Sequence, residues 1–145
     1  MATWEDLVKF IDRTYKHEVL GEGLLKLVFN VDNLRSQVVF VEHAHNDSGA
    51  DWFKVTSPVG NLSPDQAYDA ARRLSGMILG GIIVEEDIAM VATAMPLKDV
   101  DPHEVTDSIE RITQIADSLE ADILGSDDFF DNRSEERRVG KECRS

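Results

Sequence analysis

Residues 63–97 read SPDQAYDAARRLSGMILGGIIVEEDIAMVATAMPL, a capped helix that runs directly into a strand hairpin. Ser63 is placed to cap, Pro64 suits the first helical position, and Gln66 completes a capping box. Ala67, Ala70, Ala71 and Leu74 give the helix a small-residue face, and Gly76 is the expected left-handed C-terminal cap. Met77 to Val84 is almost wholly apolar, which predicts a strand buried on both faces. Glu85-Glu86-Asp87 then reads as a polar turn, and Ile88 to Met95 as a second apolar strand ended by Pro96. The two strands are expected to pair near the centre of a sheet. A helix followed by an antiparallel hairpin points to the α+β class.

The flanking sequence extends the pattern. Asp101, Pro102 and Glu104 repeat the cap, first-position proline and box, and open a long helix. Val105, Ile109, Ile112, Ala116, Leu119 and Ile123 step by fours and threes, Ile115 widens the stripe, and Gly125 is the expected stop. This helix faces either the sheet or a partner. On the N-terminal side, Leu25, Leu27, Phe29 and Val31 alternate within Leu24 to Val31, the period of a half-buried strand. After an Asp32-Asn33 turn, Gln37 to His45 is a second strand. The polar loop Asn46 to Ala50 leads to a third, Trp52 to Thr56, ended by Ser57-Pro58. Thr3 and Asp6 form a loose cap for a first helix from Trp4 to Tyr15, whose stripe is Trp4, Leu7, Val8, Ile11 and Tyr15. Gly21 and Gly23 punctuate the chain after it. The predicted order is α-β-β-β-α-β-β-α, an antiparallel sheet packed by helices, in one domain over residues 1–125 with a tail at 126–145.

Composition sets the functional range. The 145 residues are 42% hydrophobic, and 28 acidic against 15 basic side chains give a net charge of -13. Such acidity opposes binding to nucleic acid or to anionic membranes, because phosphates repel it. No apolar run approaches the ~18 residues of a membrane span, and no signal-peptide pattern opens the chain. A soluble cytoplasmic domain is expected. Residues 133–145, RSEERRVGKECRS, break the pattern abruptly, carry the only cysteine, Cys143, and resemble a translated sequencing adaptor. Without them, 10 basic against 25 acidic residues remain, a net charge of -15, and no cysteine is left for disulfide, metal or nucleophilic chemistry.

Chemical signals are sparse. His43 and His45 point to one face of a strand, and Asp47 and Asp51 can approach through the following loop. A His-x-His pair can begin a zinc site, which allows a metal-dependent hydrolase as one reading, although two argued ligands fall short of a site. The other reading is a solvent-facing strand end. His17 and His103 have no activating neighbours in sequence, and no Gly-x-Ser-x-Gly elbow is present. Gly76, Gly80 and Gly81 sit at the start and middle of a strand, unlike a phosphate loop, and Gly80 and Gly81 fit close backbone approach or strand curvature instead. The acidic pairs lie in turns and on helix faces, as solvated charges do. The leading expectation is therefore no catalysis, no metal and no cofactor.

Residues out of phase with the core carry more information. If Leu25, Leu27 and Phe29 face the helices, Leu24 and Val28 face the other way, and Trp52 alternates with Phe53 in the same sense. Leu24, Val28 and Trp52 are the candidate partner-binding residues, provided that neither a helix nor a second subunit covers them as ordinary core.

The element order, together with the phrases SPDQAYDAARRLSG, MILGGIIVEEDIAMVATAMPL and TDSIERITQIADSLEADILG, resembles the class I type III secretion chaperones and the related YbjN-like proteins. In YbjN-like sequences a Leu-Pro-Leu phrase precedes an Asp-containing linker and a helix, and here the phrase is Met95-Pro96-Leu97. The resemblance spans about residues 1 to 125. It implies a small, acidic, usually dimeric protein that binds unfolded segments of other proteins on hydrophobic surfaces. It implies protein or peptide binding more than secretion itself, and offers no binding motif to transfer. An apolar sheet face or open edge can hold an extended segment, and acidity favours basic segments in such a client. The alternative is a regulatory or structural subunit that grips a folded partner through the C-terminal helix, by Ile112 and Ile115.

Overall fold

In a computed structural model, residues 1–32, 35–77 and 80–124 are described. Thr3 accepts from the Asp6 N–H and opens helix α1 (Trp4–Thr14), whose buried stripe is Trp4, Leu7 and Ile11. Strands β1 (Glu18–Gly21), β2 (Leu24–Asp32), β3 (Arg35–His45) and β4 (Asp51–Asn61) follow, then α2 (Pro64–Arg73), β5 (Gly81–Glu85), β6 (Ile88–Pro96) and α3 (Pro102–Ile123). Both predicted capping boxes form: Ser63 with Gln66, and Asp101 with Glu104. The six strands make one antiparallel sheet in the order β1-β2-β3-β4-β6-β5. The chain is α+β, as expected.

Every helix lies against the same sheet face. Leu25 and Leu27 of β2, Val39 and Val41 of β3, Phe53 and Val55 of β4 and Val91 of β6 are buried there, in one cluster with Leu7, Ile11, Ile109, Ile112 and Ala116. Leu25 pairs with Val41, Val41 with Val55, and Leu27 with Val39, so the alternation read from sequence becomes aligned rows of core side chains. The apolar stripe of α3 is spent on this sheet: Ile112 is fully buried and Ile115 packs against the core. A partner that gripped Ile112 and Ile115 would first have to pull the helix off the core. Arg35 at the start of β3 pins α3 from the side through Asp117, at 3.1 Å.

Four features differ from the sequence reading. Strand β1, which was not expected, pairs with β2 across the Glu22-Gly23 turn, where Gly23 takes φ +75. Its four residues are all exposed, so it leaves no apolar alternation to read. Strand β4 runs through Ser57-Pro58 to Asn61. Its pairing with β3 ends at Thr56, and the Gln37 side chain then donates to the Pro58 carbonyl at 2.9 Å, so the proline costs the sheet little. Helix α2 leaves through a 3-10 turn, Leu74–Gly76, with the Met77 N–H donating to Leu74, and Gly76 is not left-handed. In this segment the positive φ falls at Gly80, +102, and neither Gly80 nor Gly81 marks the expected close approach: a Cβ at Gly80 would meet Val91 and Ile112 at ordinary contact distance, and one at Gly81 would meet nothing within 4 Å. Finally, β5 is an edge strand with Val84 exposed, not a buried strand at the sheet centre. The Gly125 stop, the tail at 126–145 and Cys143 lie outside the described residues, as do Ile78 and Leu79.

Candidate functional site

The face of the sheet opposite the helices carries the residues out of phase with the core. In β2 these are Leu24, Lys26 and Val28, and Val28 is 55% exposed. In β3 they are Val38, Phe40, Glu42 and Ala44, and in β4 Trp52, Lys54, Thr56 and Pro58. Cross-strand register arranges them in rows. Val28 sits opposite Val38, and Lys26 opposite Phe40, which continues to Thr56 and Ala92. Leu24 sits opposite Glu42, then Lys54 and Ala94, and Ala44, Trp52 and Pro96 form the next row.

All three expected residues, Leu24, Val28 and Trp52, thus share one face, but they are not neighbours. At about 3.3 Å per residue along a strand and about 4.8 Å between strands, Val28 and Trp52 stand roughly 20 Å apart. Leu24 and Trp52 are half-buried by their sheet neighbours. The apolar area around Val28 is continued by Val38 and Phe40, which the sequence reading passed over. Their signal was available, since they alternate with Val39 and Val41 in QVVFV. Trp52 lies between the small Ala44 and the ring of Pro96, so little side chain flanks its indole along that row. Lys26, Glu42 and Lys54 separate the two ends, giving a face that is apolar in stretches and charged between them. Open edges flank it: Val19 and Leu20 are exposed on β1, and Val84 on β5.

The second candidate lies where β3 turns into β4, on the helix-bearing face. His43 and His45 point the same way, and register puts His45 directly opposite Asp51. Asp51 Oδ1 lies 3.1 Å from His43 Nε2 and 2.9 Å from His45 Nε2. The loop that brings the carboxylate round is closed by the Asn46 side chain, which accepts from the Ser48 and Ala50 N–H groups, and by the Asn46 N–H donating to the Ala50 carbonyl. The His43 ring is stacked on Trp4 of α1, with centroids 5.2 Å apart and planes 6° apart. Of the two carboxylates expected to approach, Asp51 converges on the imidazoles and Asp47 is not in the group. The group lies at a partly exposed strand end, with side-chain exposures of 25% for His43, 55% for His45 and 44% for Asp51. His17 is placed elsewhere, 4.0 Å from Asp12 at the end of α1. Among the described residues, no helix is long and apolar enough to cross a membrane.

No protein-family model matches this sequence. No curated protein matches it either. Solved structures share its fold. A chain of the HopA1-SchA chaperone-effector complex superposes with a TM-score of 0.55 at 7% identity, over 77% of this chain and 88% of that one. A chain of the Yersinia pestis type III secretion chaperone SycH in complex with a stable fragment of YscM2 aligns at 15% identity and a TM-score of 0.49, over 78% of this chain and 95% of that one. At such identities the likeness is one of fold alone, that of an antiparallel sheet which among the described residues has six strands and three helices.

Proposed function

We propose that this chain is a non-enzymatic, chaperone-like module that holds an extended segment of another protein on its outer sheet face, with Leu24, Val28 and Trp52 among the contacts. The observation that carries the reading is that face itself. All three helices pack on one side of the sheet, and the other side keeps Val28, Val38, Phe40 and Trp52 under no covering element among the described residues. Apolar rows broken by Lys26, Glu42 and Lys54 suit an extended chain, which meets a sheet with alternate side chains and can add its backbone to an open edge such as β1 or β5. The fold likeness to a chain of a chaperone-effector complex supports the same reading. The excess of 28 acidic over 15 basic residues favours a client with basic segments and disfavours nucleic acid and anionic membranes. Homodimerisation, cytoplasmic residence and kinship with the YbjN-like branch belong to the same proposal.

The test compares the wild type with a Val28→Ser, Trp52→Ser double variant for binding of a hydrophobic dye and for suppression of aggregation of a chemically unfolded basic polypeptide. Loss of both in a folded variant supports the reading. Full retention of both, with unchanged circular dichroism, removes Val28 and Trp52 from the binding surface. Grip through the C-terminal helix is disfavoured, because the Ile112 stripe is core.

A further inference from the structure

Among the described residues, the cluster at the β3–β4 hairpin is unlike the other acidic and histidine groups. Two imidazole nitrogens converge on a single carboxylate oxygen, and the three ligand atoms all lie within 4.8 Å of one another. In a zinc site with bonds of about 2.0–2.2 Å, neighbouring ligand atoms stand about 3.3 Å apart, close to the 3.1 and 2.9 Å found here. The positions are held by structure that owes nothing to an ion. His43 and His45 share a strand face, His45 and Asp51 are register partners, and Trp4 fixes the His43 ring by stacking. Gly23 lies against the His43 backbone: its carbonyl accepts from the His43 N–H at 2.8 Å, and a Cβ on the glycine would come within 3.2 Å of the histidine Cβ.

We propose that His43, His45 and Asp51 bind a divalent late first-row transition ion, with zinc the foremost candidate. Two imidazoles and one carboxylate select such ions over calcium or magnesium, which prefer all-oxygen shells. Three protein ligands leave one position of a tetrahedron, and the exposure of His45 and Asp51 opens it to water or to a donor side chain of a bound protein. The ion would clasp the end of the β3–β4 hairpin, since His43 and His45 lie on β3 and Asp51 on β4, beside the His43 ring that Trp4 already covers. This inference stands apart from the client-binding proposal, since the cluster lies on the opposite sheet face from Val28 and Trp52. It reverses the sequence-based expectation that the chain holds no metal.

The experiment uses the full chain without an affinity tag. Zinc is titrated by calorimetry into the wild type, His45→Gln and Asp51→Asn, all with folding checked by circular dichroism. One ion per chain is expected, with affinity at least about tenfold weaker in each variant. A second, spectroscopic readout comes from copper(II) added to a Trp52→Phe chain, which leaves Trp4 as the sole indole. Stoichiometric quenching of Trp4 that His45→Gln or Asp51→Asn abolishes places the ion at the cluster, whereas quenching that both variants keep places it at the nearby amino terminus and counts against the proposal. Equal zinc affinity in wild type and both variants, or no binding and no quenching at micromolar protein, would overturn the proposal and leave the cluster as a set of ion pairs.

Discussion

Replacing Val28 and Val39 each with threonine makes the same chemical change on the two faces of one sheet. Both residues are strand valines on adjacent strands, and threonine keeps the β-branch, so intrinsic strand preference nearly cancels. Val39 is fully buried, and its register partner Leu27 is 1% exposed. There, threonine loses about 0.8 kcal/mol of apolar burial and leaves a hydroxyl to satisfy at a cost of about 1–3 kcal/mol, for a total of about 2–4 kcal/mol. Val28 is already 55% exposed, so its new hydroxyl meets water and the cost should stay within about 0.5 kcal/mol. Urea unfolding followed by circular dichroism reads the difference as a displaced midpoint at constant slope. A Val28→Thr penalty equal to that of Val39→Thr would refute the open outer face. If that penalty also grew with protein concentration, a second subunit would be the cover.

Other expectations follow from particular contacts. Glu86 and Asp87 both hold positive φ, 49 and 74, in the β5–β6 turn, so a Glu86→Asn, Asp87→Gly pair should raise stability by about 0.5–1 kcal/mol in thermal or urea melts. Gly80→Ala should lower it by about 1–2 kcal/mol, through backbone strain at φ +102 and not through a clash, since the added methyl meets only ordinary contacts. Burial, with the Glu110 carboxylate nearby, holds the Tyr15 phenol above its ordinary value of 10. Its contribution is therefore full below pH 10 and lost as pH rises through the folded value, and alkaline unfolding curves of Tyr15→Phe should lose that limb. Asp117→Asn should cost about 1 kcal/mol, and less at high salt, by removing the half-buried partner of Arg35.

What could be read in the sequence was local. The boxes at Ser63 and Asp101 are chemistry between residues three apart, and both form. The alternation of Leu25 and Leu27 with Leu24 and Val28 assigned the two faces of β2 correctly, and the Asn46–Ala50 loop does deliver Asp51 to His43 and His45. What stayed hidden depends on neighbours distant in sequence. The position of β5 at an edge follows from β6 pairing with β4, which no residue of GIIVE encodes. Strand β4 survives Pro58 because its pairing with β3 has ended at Thr56, so the missing proline N–H breaks no ladder bond there, and the Gln37 side chain, twenty-one residues away, takes up the carbonyl. Strand β1 is too short and too exposed to carry a pattern. The candidate face was half legible for a related reason: its members follow from alternation, whereas the roughly 20 Å between Val28 and Trp52 follows from register.

The most direct test is an amide-resolved NMR titration of the isotope-labelled chain with a reduced, alkylated basic polypeptide. Shift changes confined to the outward residues of β2, β3 and β4, with Val28, Phe40 and Trp52 among them, are the predicted result. Changes centred on His43, His45 and Asp51 or on the solvent side of α3, with the outer sheet face silent, would contradict it.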